Sequence, residues 1–350
     1  MKEKLFLGIF LIVFLTSFGF CRKTDAKDLK PSSVKKYSVE MQKELRVDKD
    51  NNLYHVYAVE KENSKYGTYR LEKRFIGKKK PVKINTPDYV FYASFDGMSD
   101  NFYYPDKKGR IHYCNAKGKS IADFSTEELW DKFSFLTGGV RVRRKNKICM
   151  ISRDGYQNVK TIYAEYDINK KKFTKKKYIN AGDEVTDIKI YGKYIYGLKI
   201  TGEMRKSGEK VIDGRKYSIV VWDLSGRFQY ELDFSYLAEN YTGKNISDIM
   251  DEYDIYHWDI SDIEEMSKVF FEVCDGYIYV ATRGGIYRCK VGNRNFKKIV
   301  NLSGCEFISM NWNNYLTSFV YVNKNKFAFV ARWYDEGGEH ADVYVVQGAK

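Results

Sequence analysis

The chain has 350 residues and a formal net charge of +14 at pH 7, with 30 tyrosines, 22 phenylalanines and 4 prolines. Its length allows two average domains or one large all-β domain, and its many aromatic residues, which suit half-buried sheets, favour strands. The charge predicts attraction to polyanions (nucleic acid, anionic lipid or acidic glycan), but a lysine-rich solvated surface is the preferred explanation, so the charge selects no function.

The first twenty residues, MKEKLFLGIFLIVFLTSFGF, differ in kind from the rest. Two lysines precede a mainly apolar run from Leu5 to Leu15, which predicts a secretory signal peptide at 1–20, since a spanning helix needs about 20 apolar residues. With Cys21 after it, the region resembles a bacterial lipoprotein signal, which implies a diacylglycerol on Cys21; Phe20 departs from the small residue usual there. The alternatives are a soluble secreted protein and an uncleaved anchor.

A turn followed at once by alternating large apolar residues occurs six times along the chain. The first apolar residues of the copies are Leu53, Phe102, Ile148, Tyr194, Tyr277 and Phe327, at intervals of 49, 46, 46, 83 and 50 residues. A period in the forties with several short strands per unit is typical of a β-propeller. We therefore predict six blades of four strands, A to D. The turn that begins each copy joins strand A to strand B.

The blades resemble those of NHL-type six-bladed propellers, most closely at VDKDNNLYHVYA from Val47. This resemblance implies a fold and very little else. The sixth unit ends without a D strand, whereas a strand-like segment at Lys35–Met41 precedes the first A strand. We predict that this segment completes the last blade and closes the ring, which removes an exposed edge. The predicted domains are a lipid-anchor cysteine and linker at 21–34 and an all-β propeller at 35–350.

The 83-residue interval predicts an insertion between blades 4 and 5, at about 235–267. From Glu239 to Glu265 the insertion has nine acids and one base, a net charge of −8 on a basic chain. Part of it is predicted to be helical, because four residues are spaced for one helix face: Ile246, Ile249, Met250 and Tyr253. As a D–A connection, it belongs to the rim that D–A and B–C loops share, where ligand sites usually lie.

The predicted binding rim combines aromatic residues with carboxylates, which can stack on and hydrogen-bond a sugar or a peptide. Its candidates from the D–A loops are Trp130, Asp131, Asp183, Glu184, Tyr256, Trp258, Asp259, Trp312 and Asn313. Those from the B–C loops are Arg283, Trp333, Asp335, Glu336 and the basic loop Gly202–Lys216. Each tryptophan can equally well pack between blades.

A metal-dependent hydrolase or lyase is the rival function, with rim carboxylates such as Asp131, Asp183 and Asp259. The predicted A strands are mainly apolar, however, and the sequence has no GxSxG, P-loop or dinucleotide motif. With no CxxC and four scattered histidines, a structural zinc site is disfavoured, and we expect no cofactor. We predict that the cysteines are small buried residues of the strands. The alternative is a disulfide between Cys274 and Cys289.

Two lysine runs, GKKKPVK from Gly77 and NKKKFTKKK from Asn169, are predicted at C–D turns on the opposite rim. They either guard strand edges or face an anionic membrane or polysaccharide, which a lipid on Cys21 would reinforce. Export disfavours nucleic acid. We therefore expect a monomeric binding or scaffold protein, anchored in the membrane by its lipid, with a protein or glycan partner at the cell envelope.

Overall fold

The computed structural model describes residues 29–39, 45–61, 68–78, 80–90, 93–96, 100–129, 141–153, 161–253, 260, 263–264, 267–305, 307, 314–335 and 338–348. Within these ranges, 26 strands form six four-stranded antiparallel sheets and one two-stranded hairpin. The six sheets are the blades of a β-propeller, as predicted.

Blades 1 to 3 follow one another along the chain, each as a meander of strands A to D. Blade 1 has β2 (Arg46–Val47), β3 (Leu53–Glu60), β4 (Tyr69–Phe75) and β5 (Val82–Ile84). Blade 2 has β6 (Ser94–Phe95), β7 (Phe102–Pro105), β8 (Ile111–Cys114) and β9 (Ser120–Phe124), followed by a 3-10 helix at Glu127–Leu129. Blade 3 has β10 (Arg141–Arg144), β11 (Lys147–Arg153), β12 (Thr161–Asp167) and β13 (Lys172–Ile179).

Blades 4 to 6 carry the two departures from a plain meander: an extra hairpin and a strand from the other end of the chain. Blade 4 has β14 (Val185–Tyr191), β15 (Tyr194–Thr201), β18 (Lys216–Asp223) and β19 (Phe228–Asp233), with the hairpin β16 (Met204–Ser207) and β17 (Lys210–Asp213) in its B–C loop. After β19 come a 3-10 helix at Ser235–Leu237 and helix α1 (Ile246–Tyr253). Blade 5 has β20 (Phe270–Cys274), β21 (Tyr277–Thr282), β22 (Gly285–Lys290) and β23 (Lys297–Asn301). Blade 6 has β24 (Asn314–Asn323), β25 (Lys326–Asp335), β26 (Gly338–Gln347) and, as its D strand, β1 (Ser33–Val39).

The N-terminal strand closes the ring, which confirms the predicted closure. β1 pairs with β26 from Ser33 opposite Gln347 to Val39 opposite Ala341. The strand begins two residues before the predicted start, and the predicted end, Met41, lies outside the described residues. Blade 6 is therefore built from distant parts of the sequence, and β1 covers the edge of β26.

Each seam between neighbouring blades contains its own cluster of buried apolar residues. Going around the ring from the seam between blades 1 and 2, the clusters include Phe102, Ile162, Ile195, Phe271, Phe329 and Val343. Successive residues of one strand face opposite seams, so Ile162 packs towards blade 2 and Tyr163 towards blade 4. The alternation read from the sequence is the physical basis of the ring.

Glycines let the C–D turn of one blade approach the D strand of the preceding blade. Gly226, in the turn of blade 4, has φ of +82°, and a Cβ there would lie 2.5 Å from the carbonyl oxygen of Tyr178 on β13. Gly118, in the turn of blade 2, has φ of +81° and a Cβ would lie 2.8 Å from the carbonyl oxygen of Asn85. Only glycine fits both the backbone conformation and the space.

The described cysteines form no disulfide with one another. Cys274 and Cys289 lie on β20 and β22, which β21 separates. Cys114, Cys149 and Cys289 are buried, in keeping with a role as small apolar residues. Among the described residues, no helix has the length and apolar character needed to cross a membrane.

Candidate functional site

One rim of the propeller carries a folded lobe made from two loops of blade 4. The hairpin β16–β17 is a B–C loop and the acidic insertion is a D–A loop, so both leave the same end of the strands. Backbone hydrogen bonds join them: the Val211 N–H donates to the Lys244 carbonyl at 3.0 Å, and the Gly243 N–H donates to the Val211 carbonyl at 2.8 Å. In a third hydrogen bond, the Ile246 N–H donates to the Glu209 backbone carbonyl at 2.7 Å. We call the described parts of 202–216 and 235–267 the rim lobe.

The rim lobe has a hydrophobic core of its own. The side chains that fill it come from both loops and are at most 4% exposed: Met204, Val211, Tyr241, Ile249 and Ile263. Ile249 lies on α1 and Ile246 packs beside it, as their helical spacing predicted; the side chains of Met250 and Tyr253 lie outside the described residues. The insertion is therefore docked on the hairpin through Tyr241, Ile249 and Ile263.

A buried ion pair joins the two loops of the rim lobe to each other. The Arg215 guanidinium donates to both carboxylate oxygens of Asp213, at 2.9 and 2.8 Å, and its third nitrogen donates to the Ser267 hydroxyl at 2.7 Å. Burial alone would raise the pKa of Asp213, but the bonds from Arg215 hold that pKa below its usual value. The pair links the hairpin to the end of the insertion, just before blade 5.

Blade 5 also contacts the lobe, through the predicted rim residue Arg283. Its guanidinium lies 3.4 Å from the Tyr241 hydroxyl and 3.8 Å from a carboxylate oxygen of Glu239. The Tyr241 hydroxyl in turn donates to Glu239 at 2.7 Å. The structure therefore brings Arg283 and the acidic insertion together on one rim.

Of the other predicted rim residues, Asp183 and Glu184 are described, exposed, and lie in the loop between β13 and β14. The Glu184 carboxylate lies 3.6 Å from the Lys199 ammonium. Eight predicted residues lie outside the described part of the chain: Trp130, Asp131, Tyr256, Trp258, Asp259, Trp312, Asn313 and Glu336. Their part in the site stays a prediction.

Trp333 lies within β25 instead of in the loop that follows it. The hairpin of blade 6 has ten residues in each strand, so its ladder runs past the predicted end and places Trp333 opposite His340. The indole stacks on His340 with 4.1 Å between ring centroids and donates to the buried Asp342 at 2.9 Å. Asp335 ends the same strand, and Glu336 lies outside the described residues. Trp333 thus packs within blade 6.

The two lysine runs start at C–D turns, on the rim opposite the lobe. Gly77 and Lys78 lie between β4 and β5, and Lys170 and Lys171 lie between β12 and β13. Within the described ranges, no group of three or more histidine, cysteine, aspartate or glutamate side chains is arranged to hold a metal ion.

Sequence reasoning placed the hairpin and the insertion on one rim but missed their contact. The residues that join them, Asp213 and Arg215, sit in the segment DGR, which reads as an ordinary turn. A signal was present in the charges, because a basic loop and an acidic insertion on one rim attract each other.

No protein-family model and no curated protein sequence matches the chain. Among solved structures, it is similar to a protein of unknown function from Dyadobacter fermentans (10% identity, 91% of this chain and 100% of that one, TM-score 0.42). It is also similar to the WD40 β-propeller domain of Doa1 (10% identity, 90% and 96%, TM-score 0.39). A third likeness is the β-propeller domain of the Trilobed protease from Pyrococcus furiosus (11% identity, 87% and 97%, TM-score 0.38).

Proposed function

We propose that this propeller is a cell-envelope binding protein that recognises a protein or glycan partner through the rim lobe. The observation that carries the proposal is the separate core of the lobe. The residues of that core belong to none of the six clusters that fill the seams. A loop structure whose core is separate from the seams is suited to presenting a surface, as loops on a rigid scaffold commonly are.

The surface of the lobe favours a partner with basic or hydrogen-bonding groups. The segment 239–265 has a net charge of −8, and Asp248 on α1 is exposed. At the base of the lobe, Tyr236 is 67% exposed, in the 3-10 helix that follows β19. An exposed tyrosine beside carboxylates combines a flat apolar face with polar contacts, a combination that binding surfaces favour.

Site-specific crosslinking tests this surface. A photoreactive amino acid replaces Tyr236 in one variant and Tyr178 in the other, and both are illuminated in intact cells. Tyr178 is the matched control, because it is 61% exposed but lies on β13 of blade 3, outside the segments that form the lobe. We expect a discrete protein or glycan adduct from position 236 and none from position 178. Equal adducts at both positions, or none at either, would contradict recognition through the lobe.

We further propose that a lipid on Cys21 anchors the protein, since a lipid and a basic surface together hold a protein at a membrane. Replacing Cys21 with Ser should move the protein from the membrane fraction to the soluble fraction, and mass spectrometry should find the diacylglycerol only on the unchanged chain. An unmodified Cys21 would contradict the anchor but leave the rim lobe untouched. The rival hydrolase or lyase stays a prediction, because Asp131 and Asp259 lie outside the described residues.

A further inference from the structure

The seam between blades 6 and 1 contains a cavity of about 570 Å³. The apolar cluster of this seam is lined on one side by Leu45 and Leu53, but further along β3 the side chains that face blade 6 become polar. The main residues that line the cavity are Tyr37 on β1, His55 and Tyr57 on β3, Arg74 and Phe75 on β4, and Lys78. Because Gly77, Lys78 and Pro81 are among the lining residues, the cavity lies at the rim of the C–D turns, opposite the rim lobe.

His55 is the buried polar group of this cavity. Its side chain is 4% exposed, and neither ring nitrogen has a hydrogen-bond partner among the described residues. Its ring meets that of Tyr57 edge-on at 4.6 Å between centroids. A buried polar group without a partner is unfavourable and uncommon in native proteins, so a group other than the described residues is expected to complete it.

The charges around the cavity are mainly positive. Arg74 lies opposite His55 in the β3–β4 ladder, with its guanidinium over the Tyr57 ring at 4.4 Å from the centroid. Glu72 accepts from Arg74 at 3.2 Å, but it is shared with Arg70, at 2.7 Å, so one carboxylate faces two guanidinium groups. Lys78 adds a positive charge at the edge of the cavity, where its ammonium donates to the Asn52 side-chain oxygen at 3.0 Å.

Burial and the neighbouring Arg74 charge lower the pKa of His55 to about 4. The imidazole is therefore neutral at pH 7, with one nitrogen that donates a hydrogen bond and one that accepts. A hydroxyl group, which also donates and accepts, matches this pair of nitrogens, whereas a simple anion can satisfy only the donor.

We propose that this cavity binds a small hydroxylated carboxylate of the acidic-sugar class. The carboxylate meets Arg74, with Lys78 at the edge of the cavity, a hydroxyl group bonds to His55, and Tyr37 and Tyr57 form the walls. The volume lies within the range of roughly 300–1,000 Å³ that small-molecule sites occupy. This site is on the opposite rim from the lobe, so it stands independently of the proposed function.

Titration calorimetry on the full chain tests the site, with D-glucuronate as the probe and D-glucose as the neutral control. We expect glucuronate to bind at least about tenfold more tightly than glucose. Arg74→Gln should weaken glucuronate binding about tenfold or more, while Arg70→Gln should leave it unchanged. The two variants are matched, because both lose a contact with Glu72 but Arg70 does not line the cavity. Lys78→Gln, compared with Lys117→Gln in the C–D turn of blade 2, repeats the test at a position that does not endanger folding.

Crystals soaked in glucuronate should show its carboxylate at Arg74 and a hydroxyl within hydrogen-bond distance of His55. Three results would overturn the site: equal binding of glucuronate and glucose, equal losses in the two arginine variants, or ordered water alone against His55 in the soaked crystals.

Discussion

Two seams of the ring, both made by blade 6, solve the same packing problem differently. In the seam with blade 5, Phe329 packs against Phe307 and Phe319, with ring centroids 5.3 and 5.1 Å away. In the seam with blade 1, the corresponding outer region holds His55, Arg74 and a cavity. The difference shows that a propeller needs apolar packing in only part of a seam to close, and that the remainder is available for a ligand.

The largest expected effect in this comparison comes from the apolar seam. Phe329 is 1% exposed, so Phe329→Ala should lower the free energy of unfolding by about 3–5 kcal/mol through lost burial and an unfilled cavity. Tyr57→Ala, in the seam with blade 1, should lower it by less than half as much, because that ring already borders a cavity. Urea unfolding of both variants measures the difference, and equal losses would mean that the two seams are packed alike.

A smaller effect is expected from the polar bonds that hold the closing strand. Asp342 on β26 is 2% exposed and accepts hydrogen bonds from Ser38 at 2.9 Å and from Trp333 at 2.9 Å; Lys36 lies 3.1 Å away. Asp342→Ala leaves these donors without their acceptor and should lower stability by about 1–3 kcal/mol. Ser38→Ala removes one bond and should lower it by about 1 kcal/mol or less. If the two variants unfold at the same urea concentration, the carboxylate does not hold β1.

The ring could be predicted from the sequence because its determinants are local and repeated. Leu53, Phe102, Tyr194 and Tyr277 each begin a B strand, and Ile148 and Phe327 are the second residues of theirs. Turn residues and alternation fix these positions within a few residues of each other along the chain. The role of β1 could be predicted as well, because an unpaired strand and a missing strand are both visible in the sequence.

The rim lobe and the seam cavity could not be predicted in the same way, because both depend on contacts between distant segments. The pair Asp213–Arg215 is local, but its link to Ser267 spans 52 residues. His55 looks like any polar residue in an alternating strand. Its burial follows from its place in the seam between blades 6 and 1, where Tyr37 and Val39 of β1 line the same cavity. A single sequence does not show which face of a strand a distant segment will cover.

The smallest expected difference between the two seams is in the pH dependence of stability. It arises because the seam with blade 1 buries His55 in a neutral form. The folded state keeps His55 neutral down to about pH 4, whereas the unfolded chain takes up the proton near pH 6.5. Between these values the unfolded state binds more protons, so stability should fall as the pH falls, by up to about 1.4 kcal/mol per pH unit. Arg74 and Lys78 are the charged side chains that line the cavity with His55.

His55→Leu should remove this contribution to the pH dependence. At pH 7 the variant should be as stable as the unchanged chain or more stable by about 1 kcal/mol, because leucine leaves no buried polar atom without a partner. Urea midpoints at pH 5, 6 and 7 for both proteins measure the two effects together. Parallel pH profiles would contradict a buried neutral imidazole. If His55→Leu has a stability that changes less with pH and also binds glucuronate more weakly, His55 is unfavourable for folding. Its presence in the seam is then explained by the ligand that completes it.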